Sequence, residues 1–208
     1  MIGQILLCLL IGYLCGSVSF GYIVGKFYKQ DLRQHGSGNP GATNALRTLG
    51  VKGGLLTFAG DALKVIIPFL IIRFVFSNIQ PCWEVYALYL GLGAVVGHNY
   101  PLWLKFKGGK GIVVTSGVIL SFADWRVTLI GLILFILIVA LTRYVSLGSL
   151  MVAWILPVNT LIFYGGHANF LHILGISLMF TAFAYVRHIS NIKRLLLGTE
   201  RKIGVKDE

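Results

Sequence analysis

The sequence predicts an all-α, polytopic integral membrane protein with about seven transmembrane helices and a site that faces the cytoplasm. Three observations carry that prediction. Of 208 residues, 56% are hydrophobic and only 12% are charged, about half the ~25% share of a typical soluble domain. Mean hydropathy is +0.81. Long apolar runs recur along the chain, and nearly all the cations fall in every second connection between them. A span needs roughly 20 apolar residues, fewer where protein shelters its ends. The 208 residues therefore accommodate one compact domain, 1–208, and leave no room for a soluble one.

The first run, 2–26, lacks a basic n-region and a small-residue cleavage site followed by soluble chain, so it reads as a span and not a signal peptide. Its "GSVSFGYIVGK" end carries Ser17 and Ser19, with Gly16 and Gly21 placed to let helices approach closely. The second, 53–77, holds Asp61 and Lys64 before turning strongly apolar at Val65. Ionisable residues inside a span are functional candidates by default. The third is 83–98. The fourth, 110–122, is too short to cross a bilayer alone and should be sheltered or tilted. Three clear runs follow at 125–142, 145–164 and 168–188.

Orientation follows from the cations. With the N-terminus outside, one set of connections comprises 27–52, 99–109, 143–144 and the tail from 189. Of the 18 Lys and Arg residues, all except Lys64, Arg73 and Arg126 lie in or at the edge of that set. The positive-inside rule makes it cytoplasmic, with the C-terminus on the same side. A net charge of +11 also suits contact with anionic lipid.

Three polar clusters lie on that side. In "HGSGNPGATNALR", His35–Arg47, Gly36, Gly38, Pro40 and Gly41 shape the backbone, and glycine lets main-chain N–H groups come close to a ligand. Ser37, Asn39, Thr43 and Asn44 add short hydrogen-bonding side chains. A helix starting at Ala42 or Thr43 would aim its N-terminal amides at an anion, with Arg47 one turn on to fork onto a phosphate. In "GHNYPLWLKFKGGKG", Gly97–Gly111, the Walker pattern is absent because Leu104 and Gly111 stand where it needs Gly and Ser or Thr. Gly108, Gly109 and Gly111 still offer backbone amides ahead of a new helix, and Lys107 and Lys110 add point charges. Trp103 and Phe106 suit the membrane interface, and His98 sits at the end of the third span. In "HISNIKRLLLGTERK", His188–Lys202, His188, Asn191 and Arg194 recur every third residue along one helix face. Ile192, Leu195 and Leu196 point elsewhere, as in an interfacial helix, and Glu200 has Arg194, Arg201 and Lys202 near it for ion pairing.

Metal and thiol chemistry have little to draw on. Cys8, Cys15 and Cys82 show no zinc or Cys-x-x-Cys spacing and read as packing residues. Before the extreme tail the cytoplasmic side offers only Asp31, Asp61 and Glu200 as carboxylates, so no metal site is assigned. What remains is a phosphate-binding site beside the hydrocarbon core, suited to joining a phosphorylated water-soluble molecule to a fatty chain. A transporter or channel for an organic phosphate is the competing reading. Clustering on one side, with no second gate or inverted repeat, argues against it.

The stretches "GSGNPGATN", "GHNYPLWLKFKGGKG" and "HISNIKRLLLGTERK" resemble the three cytoplasmic motifs of the bacterial acyl-phosphate:glycerol-3-phosphate acyltransferases, and motif order and length agree over the whole chain. The resemblance implies a multi-pass enzyme of the bacterial inner membrane. It implies transfer of a fatty acyl group from acyl-phosphate to the 1-hydroxyl of glycerol 3-phosphate, giving lysophosphatidic acid and phosphate. It implies no acyl-CoA or acyl carrier protein as direct donor; the expected partners are acyl-phosphate, glycerol 3-phosphate and membrane lipids, and no cofactor or nucleic acid is expected. The His-x4-Asp motif of other glycerolipid acyltransferases is missing, since none of the 5 histidines has Asp five residues on. The expected catalytic set is His188, Asn191, Ser37 and His98. The expected substrate set is Gly36, Gly38, Asn39, Thr43, Asn44, Arg47, Lys107, Gly108, Gly109, Lys110 and Arg194. An acyl-phosphate brings its own leaving group, so positioning and oxyanion stabilisation should dominate. The hydroxyl proton can go to His188, to His98 or to a donor phosphate oxygen.

Overall fold

The computed structural model describes residues 2–78 and 82–204. Among them there is no strand. The helices are α1 (Ile2–Ser17), α2 (Phe20–Phe27), α3 (Ala42–Phe76), α4 (Trp83–Asn99), α5 (Ile112–Phe122), α6 (Trp125–Thr142), α7 (Val145–Val152), α8 (Ile155–Phe163), α9 (Phe170–Arg187) and α10 (Ile189–Leu196).

Among the described residues, five stretches are long and apolar enough to cross a membrane: Ile2–Phe27, Ala42–Phe76, Trp125–Thr142, Val145–Phe163 and Phe170–Arg187. The other two expected spans are the 17-residue α4 and the 11-residue α5. Both fall short of that length and are largely buried within the bundle. The helix expected at 53–77 starts earlier, at Ala42, and breaks at Gly50, whose φ of 78° is open to glycine.

Two more of the long stretches are interrupted, and both interruptions are used. Backbone groups freed inside a membrane must find partners within the protein. Between α1 and α2, Ser19 caps α2 by accepting from the Tyr22 N–H at 3.4 Å. The carbonyl of Val18 then accepts from Lys64 Nζ at 2.7 Å. Between α7 and α8, the carbonyl of Ala153 accepts from Thr181 Oγ1 at 2.7 Å.

α4 is the centre of the bundle. It is apolar all round, as a helix surrounded by protein should be. Its tightest neighbour is α1, and small residues on both helices allow the contact. Gly12 and Gly16 of α1 lie against the carbonyls of Leu90 and Ala94, while Gly93 and Gly97 of α4 lie against those of Leu9 and Tyr13. Two glycine pairs spaced by four therefore face each other, the arrangement that lets membrane helices pack backbone to backbone. On its other sides α4 meets α3, α5 and α9 around the fully buried Phe69, Val118 and Phe180. α6 is different: only Gly131 is buried, and its leucines and isoleucines face outward into a broad apolar surface that suits lipid.

Gly16→Val or Gly93→Val forces a side chain into partner backbone. Each should destabilise by at least the ~1–3 kcal/mol of core overpacking, read as a lower melting temperature in detergent. Gly175→Ala, where a Cβ meets nothing within 4 Å, should instead hold or gain up to ~1 kcal/mol.

Candidate active site

The three polar clusters come together around one cavity of about 100 Å³. Its wall includes Ser37, Asn39, Thr43, Asn44 and Arg47 from the first cluster, His98 and Lys110 from the second, and His188, Asn191, Arg194, Glu200 and Arg201 from the third. Asp61 of α3 and Ser146 and Ser149 of α7 add to the polar lining.

Three helices begin at this cavity. Ala42 and Thr43 open α3, Ile112 and Val113 open α5, and Val145 and Ser146 open α7. First-turn N–H groups have no intrahelical acceptor, and each helix N-terminus carries partial positive charge. With Lys110, Arg47 and Arg194 around them, these helix starts favour an anion in the cavity. Gly111 caps α5 at φ 83°, a left-handed conformation that starts the helix directly after Lys110.

The third cluster forms a chain of hydrogen bonds. Lys110 Nζ donates to Asn191 Oδ1. Asn191 Nδ2 donates to Glu200 Oε1 at 2.6 Å, and Arg194 Nε to Glu200 Oε2 at 2.8 Å. Glu200 thus does more than pair with Arg194, because its second oxygen orients the Asn191 amide. Burial pushes the Glu200 carboxyl up, but the hydrogen bonds from Asn191 and Arg194 outweigh it and leave it below the usual range. Burial pulls Lys110 down to about 8; Glu200 opposes this, while Arg194, Arg187 and Arg47 add to it. His188 is buried, with Nδ1 2.7 Å from the carbonyl of Ala184. A carbonyl only accepts, so Nδ1 carries the proton and Nε2 holds the lone pair. Burial, then the charge on Lys110, brings this imidazole down to about 4.

A buried triad backs the cavity. Lys64 Nζ lies 2.7 Å from Asp61 Oδ1 and 2.9 Å from His98 Nδ1. His98 Nδ1 is 3.6 Å from Asp61 Oδ1. The Phe20 N–H also donates to Asp61 Oδ1, at 3.4 Å.

Several expected site residues take structural parts instead. Lys107 is exposed and outside the cavity wall. The amides of Gly108 and Gly109 are not available to a phosphate: they donate to the carbonyls of Asn99 and His98 at 3.2 and 3.0 Å. These two glycines are needed for space, since a Cβ at Gly108 would meet the His98 carbonyl and one at Gly109 the His98 ring. Gly36 and Gly38 are turn residues, at φ 58° and 70°, also outside the wall. Asn44 lines the cavity, but its side chain is committed to the loop. It donates to the carbonyls of Leu32 and His35 and accepts from the Ser37 N–H. Asn39 likewise accepts from the Gly41 N–H at 2.9 Å.

Other residues gain importance only in three dimensions. Arg187 clamps the Lys/Gly loop, donating from Nε and Nη2 to the Gly109 carbonyl at 3.1 and 2.8 Å and from Nη2 to that of Gly108 at 3.1 Å. Its guanidinium also lies over the Tyr100 ring at 5.0 Å. Arg201 and Ser146 enter through chain crossings; Arg47 donates to the Arg201 carbonyl at 3.3 Å. The only hint of Arg187 in the sequence is a cation in the last turn of an apolar helix.

Below this cavity, between α3, α5, α6, α7 and α8, runs an apolar groove of about 700 Å³. That lies within the ~300–1,000 Å³ range of ligand sites. Ala42, Thr43, Ile112, Val113, Val145 and Ser149 line both spaces. The helix N-termini therefore stand at the junction of a cationic cavity and a hydrophobic groove.

The low value at His188 predicts acid sensitivity. As pH falls, the unfolded imidazole takes a proton near 6.5 while the folded one resists until about 4. The folded state therefore loses stability over that window, by about 2 kcal/mol between pH 7 and 5. Denaturation in detergent at both pH values should show this loss, and His188→Asn should flatten it.

A family model described as glycerol-3-phosphate acyltransferase matches residues 6–198. A glycerol-3-phosphate acyltransferase of Trichlorobacter lovleyi is 43% identical over 190 residues, covering 91% of this chain and 93% of that one. One from Alkaliphilus metalliredigens is 45% identical over 203 residues, 97% of each. Among solved structures, the integral membrane glycerol 3-phosphate acyltransferase PlsY (YgiH) in its glycerol 3-phosphate form superposes with a TM-score of 0.83, at 36% identity and 96% coverage of both chains. Its lysophosphatidic acid form gives 0.81 at 34% identity, covering 96% of this chain and 95% of that one. With its motif clusters, its helical membrane fold and these relatives in agreement, the chain belongs to the glycerol-3-phosphate acyltransferase family.

Proposed function

We propose that this protein transfers a fatty acyl group from acyl-phosphate to the 1-hydroxyl of glycerol 3-phosphate, as one membrane domain of bacterial phospholipid synthesis. The observation that carries this reading is the junction just described, where amides of three helix starts separate a cationic cavity from an apolar groove. An acyl-phosphate is itself such a junction, with a dianionic head and a hydrocarbon tail. A similar protein has been solved with glycerol 3-phosphate and with lysophosphatidic acid, which fits a site for acceptor and product.

In the proposed reaction the glycerol O1 attacks the acyl carbonyl. Electrons move onto the carbonyl oxygen, where N–H dipoles at the helix starts offset the developing charge. Collapse breaks the bond between the acyl carbon and the phosphate oxygen, and inorganic phosphate leaves. Lys110, Arg47 and Arg194 hold phosphate groups, and Ser37 and Asn191 hydrogen-bond substrate oxygens. The proton of O1 goes to Nε2 of His188 or to an oxygen of the donor phosphate. Bound phosphate would raise the basicity of His188 by supplying negative charge beside it. The reading also places the N-terminus outside the inner membrane and all three clusters in the cytoplasm, on the strength of the cation distribution. Opposite-side labelling of Ser37→Cys and Lys110→Cys in sealed vesicles would defeat that arrangement.

Purified protein in detergent should make lysophosphatidic acid from acyl-phosphate, fail with acyl-CoA, and keep its activity in EDTA. Transfer without a second compartment excludes a pure transporter, and a magnesium-restorable loss in EDTA would overturn the metal-free scheme.

Variants then apportion the roles. Lys110→Ala and Arg47→Ala should each weaken phosphate binding by about 1.5–3 kcal/mol, the range for a charged hydrogen bond. That is ~10- to 150-fold in affinity. Lys107→Ala, outside the cavity, should stay within ~0.5 kcal/mol of wild type. If His188 takes the proton, His188→Ala should lower kcat by about 10²–10⁴-fold. A raised KM with near-normal kcat would leave the substrate phosphate as base.

A further inference from the structure

The buried triad behind the cavity makes a demand on His98 that its sequence neighbours do not. Lys64 Nζ touches three groups: the Val18 carbonyl at 2.7 Å, Asp61 Oδ1 at 2.7 Å and His98 Nδ1 at 2.9 Å. An ammonium has three N–H donors and no acceptor. The side chains of Lys64 and Asp61 are 4% and 1% exposed, so the carboxylate is the counter-charge that makes a buried ammonium tolerable. Two donors are taken by groups that can only accept. The third is aimed at His98 Nδ1, which must then present its lone pair.

An imidazole that accepts at Nδ1 carries its proton on Nε2. Nε2 of His98 lies against Gly109, where a Cβ would overlap the ring, and His98 lines the cavity. His188 is held the other way, with its Nδ1 proton on the Ala184 carbonyl. The cavity is therefore flanked by two imidazoles in opposite tautomers, one a donor and the other an acceptor.

We propose that the Lys64–Asp61 pair is a positioning device that locks His98 as an Nε2–H donor to the substrate. His98 then cannot serve as the base, and the choice of proton acceptor narrows to His188 or the donor phosphate. The part played toward substrate rests on the acyl-transfer reading above; the tautomer rests on the geometry alone. The interruption between α1 and α2 belongs to the same device, because a continuous helix would have spent the Val18 carbonyl on its own ladder.

The test reads the tautomer directly. Two-bond 1H–15N correlation spectra of the full chain with 15N-labelled histidine, in detergent near neutral pH, distinguish a protonated ring nitrogen from a bare one. The His98 signal is assigned by its loss in His98→Gln. We expect a bare Nδ1 and a protonated Nε2 on His98, and the reverse on His188. A His98 ring protonated at Nδ1, alone or together with Nε2, overturns the proposal. So does an unchanged His98 pattern in the charge-balanced double variant Asp61→Asn with Lys64→Met, which avoids stranding one buried charge. The activity arm uses side-chain mimics. Glutamine places an N–H where Nε2 was, and asparagine where Nδ1 was. His98→Gln should lose less than about tenfold in turnover, and His98→Asn about 10- to 150-fold, the span of one charged hydrogen bond. Equal losses in both overturn the donor role. Absence of acyl transfer in wild type, with the tautomers as expected, overturns the function reading and leaves the lock standing.

Discussion

Unpaired N–H groups at a helix start are costly beside hydrocarbon unless something anionic meets them. This chain begins α3, α5 and α7 at one point, and the rest of the site follows from that constraint. Each start needs a preceding segment that is not helical. The first comes from the turn residues before Ala42, the second from the Lys/Gly loop before Ile112, the third from the short link at Arg143 and Tyr144. The shortness of α5, awkward for a span, is what brings its first turn to the level of the cavity while its remainder stays buried against α3 and α4.

The loops are rigid for reasons separate from binding. Asn44 reaches back to Leu32, His35 and Ser37, so one amide ties the first cluster together. Arg187 does the same for the second, with three donations into the Gly108–Gly109 backbone. Because Arg187 directly precedes His188, the residue that clamps the loop also fixes the entry of the third cluster. Pre-organisation of this kind suits a reaction in which the leaving group is already good and geometry is what the protein must supply.

Charge in the cavity is balanced sparingly. Among the described residues of the cavity wall, Lys110, Arg47, Arg194 and Arg201 are accompanied by two carboxylates, Asp61 and Glu200. Glu200 is drawn into orienting Asn191 and neutralising Arg194, and Asp61 into pairing with Lys64. Burial first, and then the neighbouring cations, keeps Lys110 and His188 at lowered values. A dianionic ligand would bring negative charge beside those cations.

Much of this was written in the sequence, and for a physical reason: a bilayer demands long apolar runs and one-sided cations, and both are visible as composition. Helix ends such as those of α6 and α9 fall within two residues of the expected 125–142 and 168–188. The three clusters were legible because Gly, Asn, Ser and Lys are conspicuous in an apolar chain, and the cavity wall does hold Ser37, Arg47, His98, Lys110, His188 and Asn191. The sequence could not say which glycines face a ligand and which merely make room. Gly109 is small because the His98 ring lies there, a contact set by how α4 and its following loop fold back. It could not distinguish Lys107 from Lys110, three residues apart, because the turn between them decides which ammonium points inward. It could not show the breaks at Val18 and Ala153, since in a membrane a helix can stop wherever a distant donor, Lys64 or Thr181, is waiting for the carbonyl. Periodicity and composition are properties of neighbours along the chain. The tautomers of His98 and His188 depend on hydrogen-bond partners brought in by packing, and only the tertiary structure chooses those.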